Sequence, residues 1–396
     1  MNAGVATPAE QVRRYVDVLE MRISSPNAQP LLGKLGGMSH DWMLVETLGS
    51  EPAVVAEGAH TKNLIPISTF LRRNPHLMAI QTAIGETVRA GKGLSSITPK
   101  HDRVIRTEVV QMSDGRIHGV QIWLGPPDEE PPPRPVIGSL IWDLTQGTAT
   151  DTPDSLRIGG WDPDKETTQG RAFAEDLPRR ALNPNEAEIL SMVIKPEDGL
   201  TICDTWDVTD HQGERITVGF VARSVPEVQD EGGERLICRA MNWRSLREGP
   251  SIQVDLLGQR ILDSLAEPGV YRALVDPRHW SLLKWLDEPV PFFDWRAGIV
   301  GERAHPDDQP TLQAMNAEFA TGATSGVLRM VAHHGGWTPV HVTVHRVELD
   351  RGVYAGLAAF RLPTHEELAI AGFDEPDEPT RSSRKARARK VNPTKA

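Results

Sequence analysis

Four histidines, His333, His334, His341 and His345, crowd one stretch of the 396-residue chain. Imidazole titrates near neutrality and is a common metal ligand. If the stretch is a strand, side chains alternate and His341, Thr343 and His345 share one face. Two imidazoles on that face can bind a metal or line a pH-responsive pocket wall, and a hydrogen-bonded or exposed sheet face is the plainer alternative. No Cys or carboxylate stands at a matching position to complete a tetrahedral set, so no metal is expected. Upstream lie Trp280, Trp285 and Trp295 with Phe292 and Phe293. Such rings can cage a flat or lipidic ligand, although aromatics more often pack a core. The pocket expected from sequence therefore comprises Trp285, Phe293, Trp295, Met330, His341 and His345.

Other chemistry is poorly served. Gly91-Lys92-Gly93 glances at a phosphate loop, but five residues separate Gly85 from Gly91 and Gly93 follows Lys92 where Ser or Thr is needed. A helix stop is the simpler reading. No Gly-x-Ser-x-Gly occurs, and Cys203 and Cys238 lie in strand-like surroundings without a paired His. Asp307-Asp308 stands at a helix start, where capping accounts for it. No catalytic residue is assigned, and an enzyme is not expected.

Three hairpins organise the chain that must position these groups. Apolar-alternating runs flank short turns in Val104–Leu124 (around Ser113–Arg116), Leu200–Val225 (around Asp210–Gly213) and Val327–Val347 (around His333–Gly336). Gly and Asp tolerate the positive φ that tight reversals demand. Each hairpin follows a helix-like segment. Pro75–Ala90 carries the stripe Leu77, Ile80, Ile84 and Val88, Asn185 precedes a helix over Ala187–Ile194, and His305–Pro310 starts one through Leu312, Met315 and Phe319. The expected fold class is α+β, with three tandem modules, each an antiparallel sheet with flanking helices. The boundaries read as an N-terminal extension over 1–37, modules over 38–125, 138–240 and 270–363, a Pro-rich spacer over 126–137, a connecting strand and helix over 241–269, and a disordered tail over 364–396. Met38 is an alternative start of translation. Within the connector, Val254, Leu257, Ile261 and Leu265 form one helical stripe suited to a neighbouring module or a second subunit.

Charge and composition narrow the setting. The net charge is −11, which argues against a nucleic-acid-binding body. Only the basic stretch 381–395, directly after an acidic block, offers weak contact with nucleic acid or anionic lipid. No signal peptide or membrane-length apolar run is present, and two cysteines suit a reducing compartment, so the protein is expected in the cytoplasm.

The order His305-Pro306-Asp307-Asp308, a short helix, Gly322, Leu328-Arg329-Met330, Gly335-Gly336-Trp337 and Val340–Val344 resembles a PAS domain, in which a His-Pro-x-Asp helix start precedes a Gly-Trp hairpin. From Met38 to about Leu362 the chain is also similar to the mycobacterial triple sensor-domain family, which combines one GAF and two PAS modules without an effector domain. Asp41–Gly49, Leu94–Lys100, Met112–Trp123 and Trp142–Thr145 carry that similarity. The resemblance implies PAS/GAF-like modules in a scaffold that integrates signals, and it supplies no catalytic residue. Neither a cysteine for covalent flavin attachment nor a cyclic-nucleotide signature is found, so the cofactor and ligand stay open. The function expected is a non-enzymatic multi-sensor scaffold whose partner is an unidentified small molecule or signalling protein, with a homodimer possible through 251–267. A constitutive interaction hub without ligand is the alternative, and an unrecognised enzyme the third reading.

Overall fold

The computed structural model describes residues 41–100, 102–144, 146–177, 185–228, 234–246, 257–297 and 304–373. All three turn signals close hairpins, because Gly115, Gly213, Gly335 and Gly336 take positive φ at the reversals. In the first module β1 (Met43–Glu46), β2 (Ala53–Glu57) and β3 (His60–Pro66) precede helices α1 (Ile67–Phe70) and α2 (Leu77–Ala90). Strands β4 (Leu94–Ile97), β5 (Val104–Gln111) and β6 (Ile117–Gly125) then complete a sheet of order β3-β2-β1-β6-β5-β4. Helix α2 buries Ile80, Ala83, Ile84 and Thr87 and ends on left-handed Gly91. Val88, expected in the stripe, is exposed, and Thr87 takes the inward position, bonded to Thr107 at 2.5 Å.

The second module contains β7 (Ile137–Asp143), β8 (Thr148–Asp151), α3 (Pro153–Gly159), β9 (Arg171–Ala172), a 3-10 turn over Phe173–Glu175, and α4 (Glu186–Ile194). It closes with β10 (Thr201–Thr209), β11 (Arg215–Val228) and β12 (Glu234–Arg244), in the order β10-β11-β12-β7-β8-β9. After α5 (Leu257–Ser264), the third module has β13 (Tyr271–Asp276), β14 (Ser281–Trp285), a 3-10 turn over Pro306–Asp308, α6 (Gln309–Phe319), β15 (Ala323–Val331), β16 (Trp337–Asp350), β17 (Val353–Arg361) and α7 (His365–Ala371). Its sheet runs β14-β13-β17-β16-β15. All strand pairs are antiparallel, and in each module the last strand inserts beside the first: β6 by β1, β12 by β7, β17 by β13.

Several boundaries differ from those expected. Strand β12 pairs along its length with β11 and β7, so the limit at 240 falls inside a strand that belongs to the second sheet. The Pro-rich segment lies against the first module instead of standing away as a spacer. Pro132 O accepts from Trp42 Nε1 at 2.9 Å, and Gln121 Nε2 donates to Pro135 O at 2.8 Å. Residues 365–371, assigned to a disordered tail, form a helix because Thr364 and Glu367 make a reciprocal capping box and Arg361 grips Glu367 with two bonds. In the connector, Ile261 and Leu265 are exposed, while Val254, the 1–37 extension, Met38 and the 381–395 basic stretch lie outside the described residues; Leu257 opens α5.

The second sheet is covered on both faces. Odd-numbered residues of its central strands turn to the first sheet, where Val221, Met241 and Trp243 pack with Leu44, Val55, Ala56 and Val110. Polar residues in that seam are paired. Glu46, 1% exposed, accepts two bonds from Arg223 at 2.9 and 3.1 Å. Arg239 donates to Asp114 and Glu227, both at 2.6 Å, and to His118 Nε2 at 3.1 Å. His118 Nδ1 therefore carries the proton and donates to Ala240 O at 3.0 Å. On the opposite face, α4 lies between the second and third sheets, with Ile189 through Ile194 all buried. Glu186 at its start pairs with Lys284 of β14, and Arg278 Nη2 donates to Val193 O at 3.0 Å. Burial pushes the Lys284 ammonium below its ordinary value, against the pull of Glu186.

Two predictions follow from the seam between the first two sheets. A Cβ on Gly119 would lie 2.6 Å from Val45 O and 2.7 Å from Met241. Gly119→Ala should cost about 1–3 kcal/mol of stability in urea titrations. Burial holds His118 neutral in the fold, lowering its pKa to about 4 from 6.5. The unfolded chain takes up that proton first, so stability present above pH 6.5 is withdrawn as pH falls toward about 4. His118→Gln, measured by urea unfolding across that window, should show a shallower loss.

Candidate functional site

The even-numbered face of the second sheet leaves a cavity of about 70 Å³. Alternation sets its lining: Leu140 and Trp142 come from β7, Trp206 and Val208 from β10, Val218 and Phe220 from β11, and Ala240 and Asn242 from β12. Helix α3 supplies Ser155 and Gly159, and Trp161 follows its end. The helix starts here because Thr152 accepts from Ser155 N–H and Pro153 occupies the first turn, and it stops at left-handed Gly160. Gly138 permits the close approach of α3 to the sheet, since a Cβ there would lie 2.3 Å from Ser155 Cα and from Asn242 Oδ1.

Beside the aromatic wall lies a buried ionic cluster. Arg171, from the two-residue strand β9, donates through Nη1 to Asp151 Oδ2 at 2.7 Å and Asp176 Oδ1 at 2.6 Å. Ser155 Oγ donates to Asp151 Oδ1, and Trp142 Nε1 to Asp176 Oδ2, each at 2.7 Å. Glu175 approaches Arg171 Nε at 3.8 Å and accepts from Arg296 of the third module at 3.1 Å. The Arg171 guanidinium also lies over the Trp161 ring at 5.4 Å. Burial lifts both Asp151 and Asp176 above the ordinary carboxylate range, and for Asp151 the Asp176 charge adds to the rise. Burial works against the charged Arg171, and Asp176 and Asp151 outweigh it. The two carboxyls thus compete for one cation, and burial together with their mutual repulsion favours protonation of the pair.

Four polar atoms around this cavity and cluster have no hydrogen-bond partner among the described residues: Trp206 Nε1, Asn242 Oδ1, Arg171 Nε and Arg171 Nη2. Trp206 and Asn242, 6% and 8% exposed, both line the cavity. Buried polar atoms without partners cost stability and are uncommon in folded proteins. A cavity of aromatic walls with a few convergent polar groups suits a small ligand.

The residues expected to form a pocket in the third module divide between two places. Trp285, Phe293 and Trp295 are buried in its core. Trp285 packs on Trp295 and on Phe360, each at 5.8 Å, and Phe293 on Phe360 at 5.7 Å. Met330 borders the same cluster. The rings fill the space they were expected to enclose. His341 and His345 stand on the other face of β16, away from Val342 and Val344 of that core, with His345 exposed. His341 lines an open groove of about 430 Å³ with Asp308, Arg329, Glu367, Ile370 and Phe373. Its Nε2 is 3.3 Å from Glu367. Hydrogen bonding by Arg361 lowers Glu367 to about 2, while burial first and Arg361 second lower His341.

Asp151, Arg171, Asp176, Trp206 and Asn242 were not singled out from sequence. Their one legible signal was the Thr152-Pro153-Asp154 helix start, which reads equally as a loop. Among the described residues no three His, Cys, Asp or Glu are grouped to hold a metal, and no helix is long and apolar enough to cross a membrane. Cys203 and Cys238 are free thiols that burial pushes up to about 12.

The raised carboxyl pair sets a pH dependence opposite to that of His118. The fold holds a proton that the unfolded chain releases in the ordinary carboxylate range, so this contribution is present in acid and is lost as pH rises through the raised folded value. Asp151→Asn should flatten the fall in stability between pH 3.8 and about pH 7, read by urea unfolding.

Comparison with known proteins adds the following. The profile of the Rv3651-like N-terminal domain matches residues 41–133, that of the Rv3651-like middle domain 136–245, and that of the Rv3651-like C-terminal domain 255–371. A crystal structure of an uncharacterised protein from Mycobacterium tuberculosis is 57% identical, covering 85% of this chain and 100% of its own, with a TM-score of 0.79. A sensory box histidine kinase/response regulator from Burkholderia thailandensis is 14% identical over 33% of this chain and 85% of its own, and an RNA-binding light-oxygen-voltage receptor 11% identical over 81% and 95%. At a TM-score of 0.20 neither likeness extends to architecture. No functionally curated protein matches the sequence.

Proposed function

We propose that this chain, which belongs to the Rv3651-like family, is a non-enzymatic cytosolic sensor scaffold built of PAS/GAF-like modules, in which the middle module binds a small molecule. One observation carries this reading: the middle-module cavity is wired to both neighbours. Its ionic cluster reaches the third module through Glu175 and Arg296. Its floor is the same sheet whose reverse side packs on the first module, so Ala240 lines the cavity while its carbonyl accepts from His118. A ligand that favours one arrangement of the cavity wall biases both seams, by as much as its affinity differs between the two arrangements.

The modules display surfaces as well. A partner protein docks on the assembled scaffold, and a second copy of the chain is a candidate partner through the exposed Ile261 and Leu265 of α5. A hub without ligand is favoured by a different observation, the self-packed aromatics of the third module. Native mass spectrometry and a metabolite thermal-shift screen on the full chain separate the two. The sensor retains a small molecule or gains several degrees of melting temperature with one, and loses that response in Val208→Phe, which adds bulk to the cavity lining. If wild type shows neither retention nor stabilisation, the ligand-free hub stands.

A further inference from the structure

We propose that the middle-module cavity takes a small protonated amine that also carries a hydroxyl or carbonyl oxygen. The inference rests on the sensor reading above and adds the class of ligand. Three features of the site select it.

The first is charge. Asp151 and Asp176 line the cavity, and Arg171 is shared between them. Glu175 stands beside the same guanidinium and divides its contacts with Arg296. Three carboxyl groups thus face two guanidinium groups, leaving a place for one further positive charge. A carboxylate or phosphate ligand would face two buried carboxyls with no free cation on the lining, which disfavours it strongly.

The second is the wall. Trp142, Trp161, Trp206 and Phe220 present aromatic surface to the cavity, and the negative faces of such rings attract organic cations. Arg171 already rests over Trp161 at 5.4 Å, so one ring of the wall holds a cation of the protein's own.

The third is the pair of unused polar atoms on the cavity lining itself, apart from the two on Arg171 behind it. Trp206 Nε1 can only donate and so requires an oxygen acceptor, whereas Asn242 Oδ1 can only accept and so requires an N–H or O–H. Asn242 cannot exchange these roles by flipping, because its Nδ2 already donates to Ser155 O and Oγ, both at 3.1 Å. An ammonium with an adjacent hydroxyl or carbonyl satisfies both atoms and the carboxyl pair together, whereas a lone hydroxyl serves the two atoms without bringing charge and a tetraalkylammonium or a hydrocarbon serves neither atom. The volume of about 70 Å³ suits a ligand of a few heavy atoms. No covalent step is involved. The bound ammonium supplies positive charge to the Asp151–Asp176 pair, whose burial favours the protonated form, and the proton it replaces leaves to solvent.

Isothermal titration calorimetry of the full chain at neutral pH, with ethanolamine as probe and acetate and ethanol as anionic and neutral comparators at matched ionic strength, tests the inference. Ethanolamine is expected to bind, with a heat that varies with the ionisation enthalpy of the buffer because a proton is released. Trp206→Phe keeps an aromatic wall but removes the indole N–H together with its pyrrole ring, and should weaken binding about tenfold or more. Asp151→Asn should weaken it similarly and abolish the buffer dependence, with circular dichroism showing both variants folded. No binding of ethanolamine, or equal binding of acetate or ethanol, overturns the inference. So does unchanged affinity in both folded variants. A ligand of another class found in the metabolite screen would overturn it while leaving the sensor reading intact, whereas silence in both experiments fails both.

Discussion

The middle sheet has no free face, and most of the structure follows from that constraint. A sheet covered on one side alternates apolar and polar residues, with water satisfying the polar half. Here both halves are enclosed, by the first sheet on one side and by α3, α4 and the third module on the other. Every charged group that remains must find a protein partner, because a lone charge removed from water costs far more than a contact returns. The seam with the first module meets this demand fully: Glu46 has Arg223, and Arg239 has Asp114, Glu227 and neutral His118.

The cavity side meets it incompletely. Asp151, Asp176 and Arg171 are bonded to one another, yet the carboxyls outnumber the guanidinium they share, and Trp206 and Asn242 keep unused atoms. Stability alone would be served better by an apolar filling, which similar volumes of Leu or Phe readily provide. The third module has such a filling, in which Trp285 packs edge to face on Trp295, and Phe360 packs at a tilt on Trp285 and Phe293. Two modules that each place their last strand beside their first therefore differ in what their interiors are built to do. One is closed by its own rings, and one is polar and partly empty.

The contrast between local and long-range determinants explains which parts of the fold were legible in the sequence. The three hairpins were legible because turn chemistry is local: a Gly at a reversal and alternation on either side specify a strand pair without reference to anything distant. Helix α2 was legible for the same reason, through its stripe and Gly91 stop, and only its last turn differed, where Thr87 replaced Val88 as the inward residue. The third-module aromatics and His341 drew notice because they are dense in sequence. Density proved to mark a core and an open groove. The short helix α7 was hidden by its charged composition, which reads as a tail until Arg361 and Thr364 are seen to bind Glu367.

By itself the sequence determined three antiparallel modules, their turns, their principal helices and an acidic body, all set by periodicity, capping and turn residues acting over a few positions. Only the tertiary structure decided which faces meet and which side chains converge. Asp151, Arg171, Asp176, Trp206 and Asn242 are spread over some ninety residues on four strands and a turn. Each alone is an ordinary polar or aromatic residue of a half-buried strand or loop. They become a site because β12 inserts beside β7 and α3 closes over the same face. That long-range pairing also buries them, and burial raises both carboxyls and leaves Trp206 Nε1 and Asn242 Oδ1 without partners among the described residues.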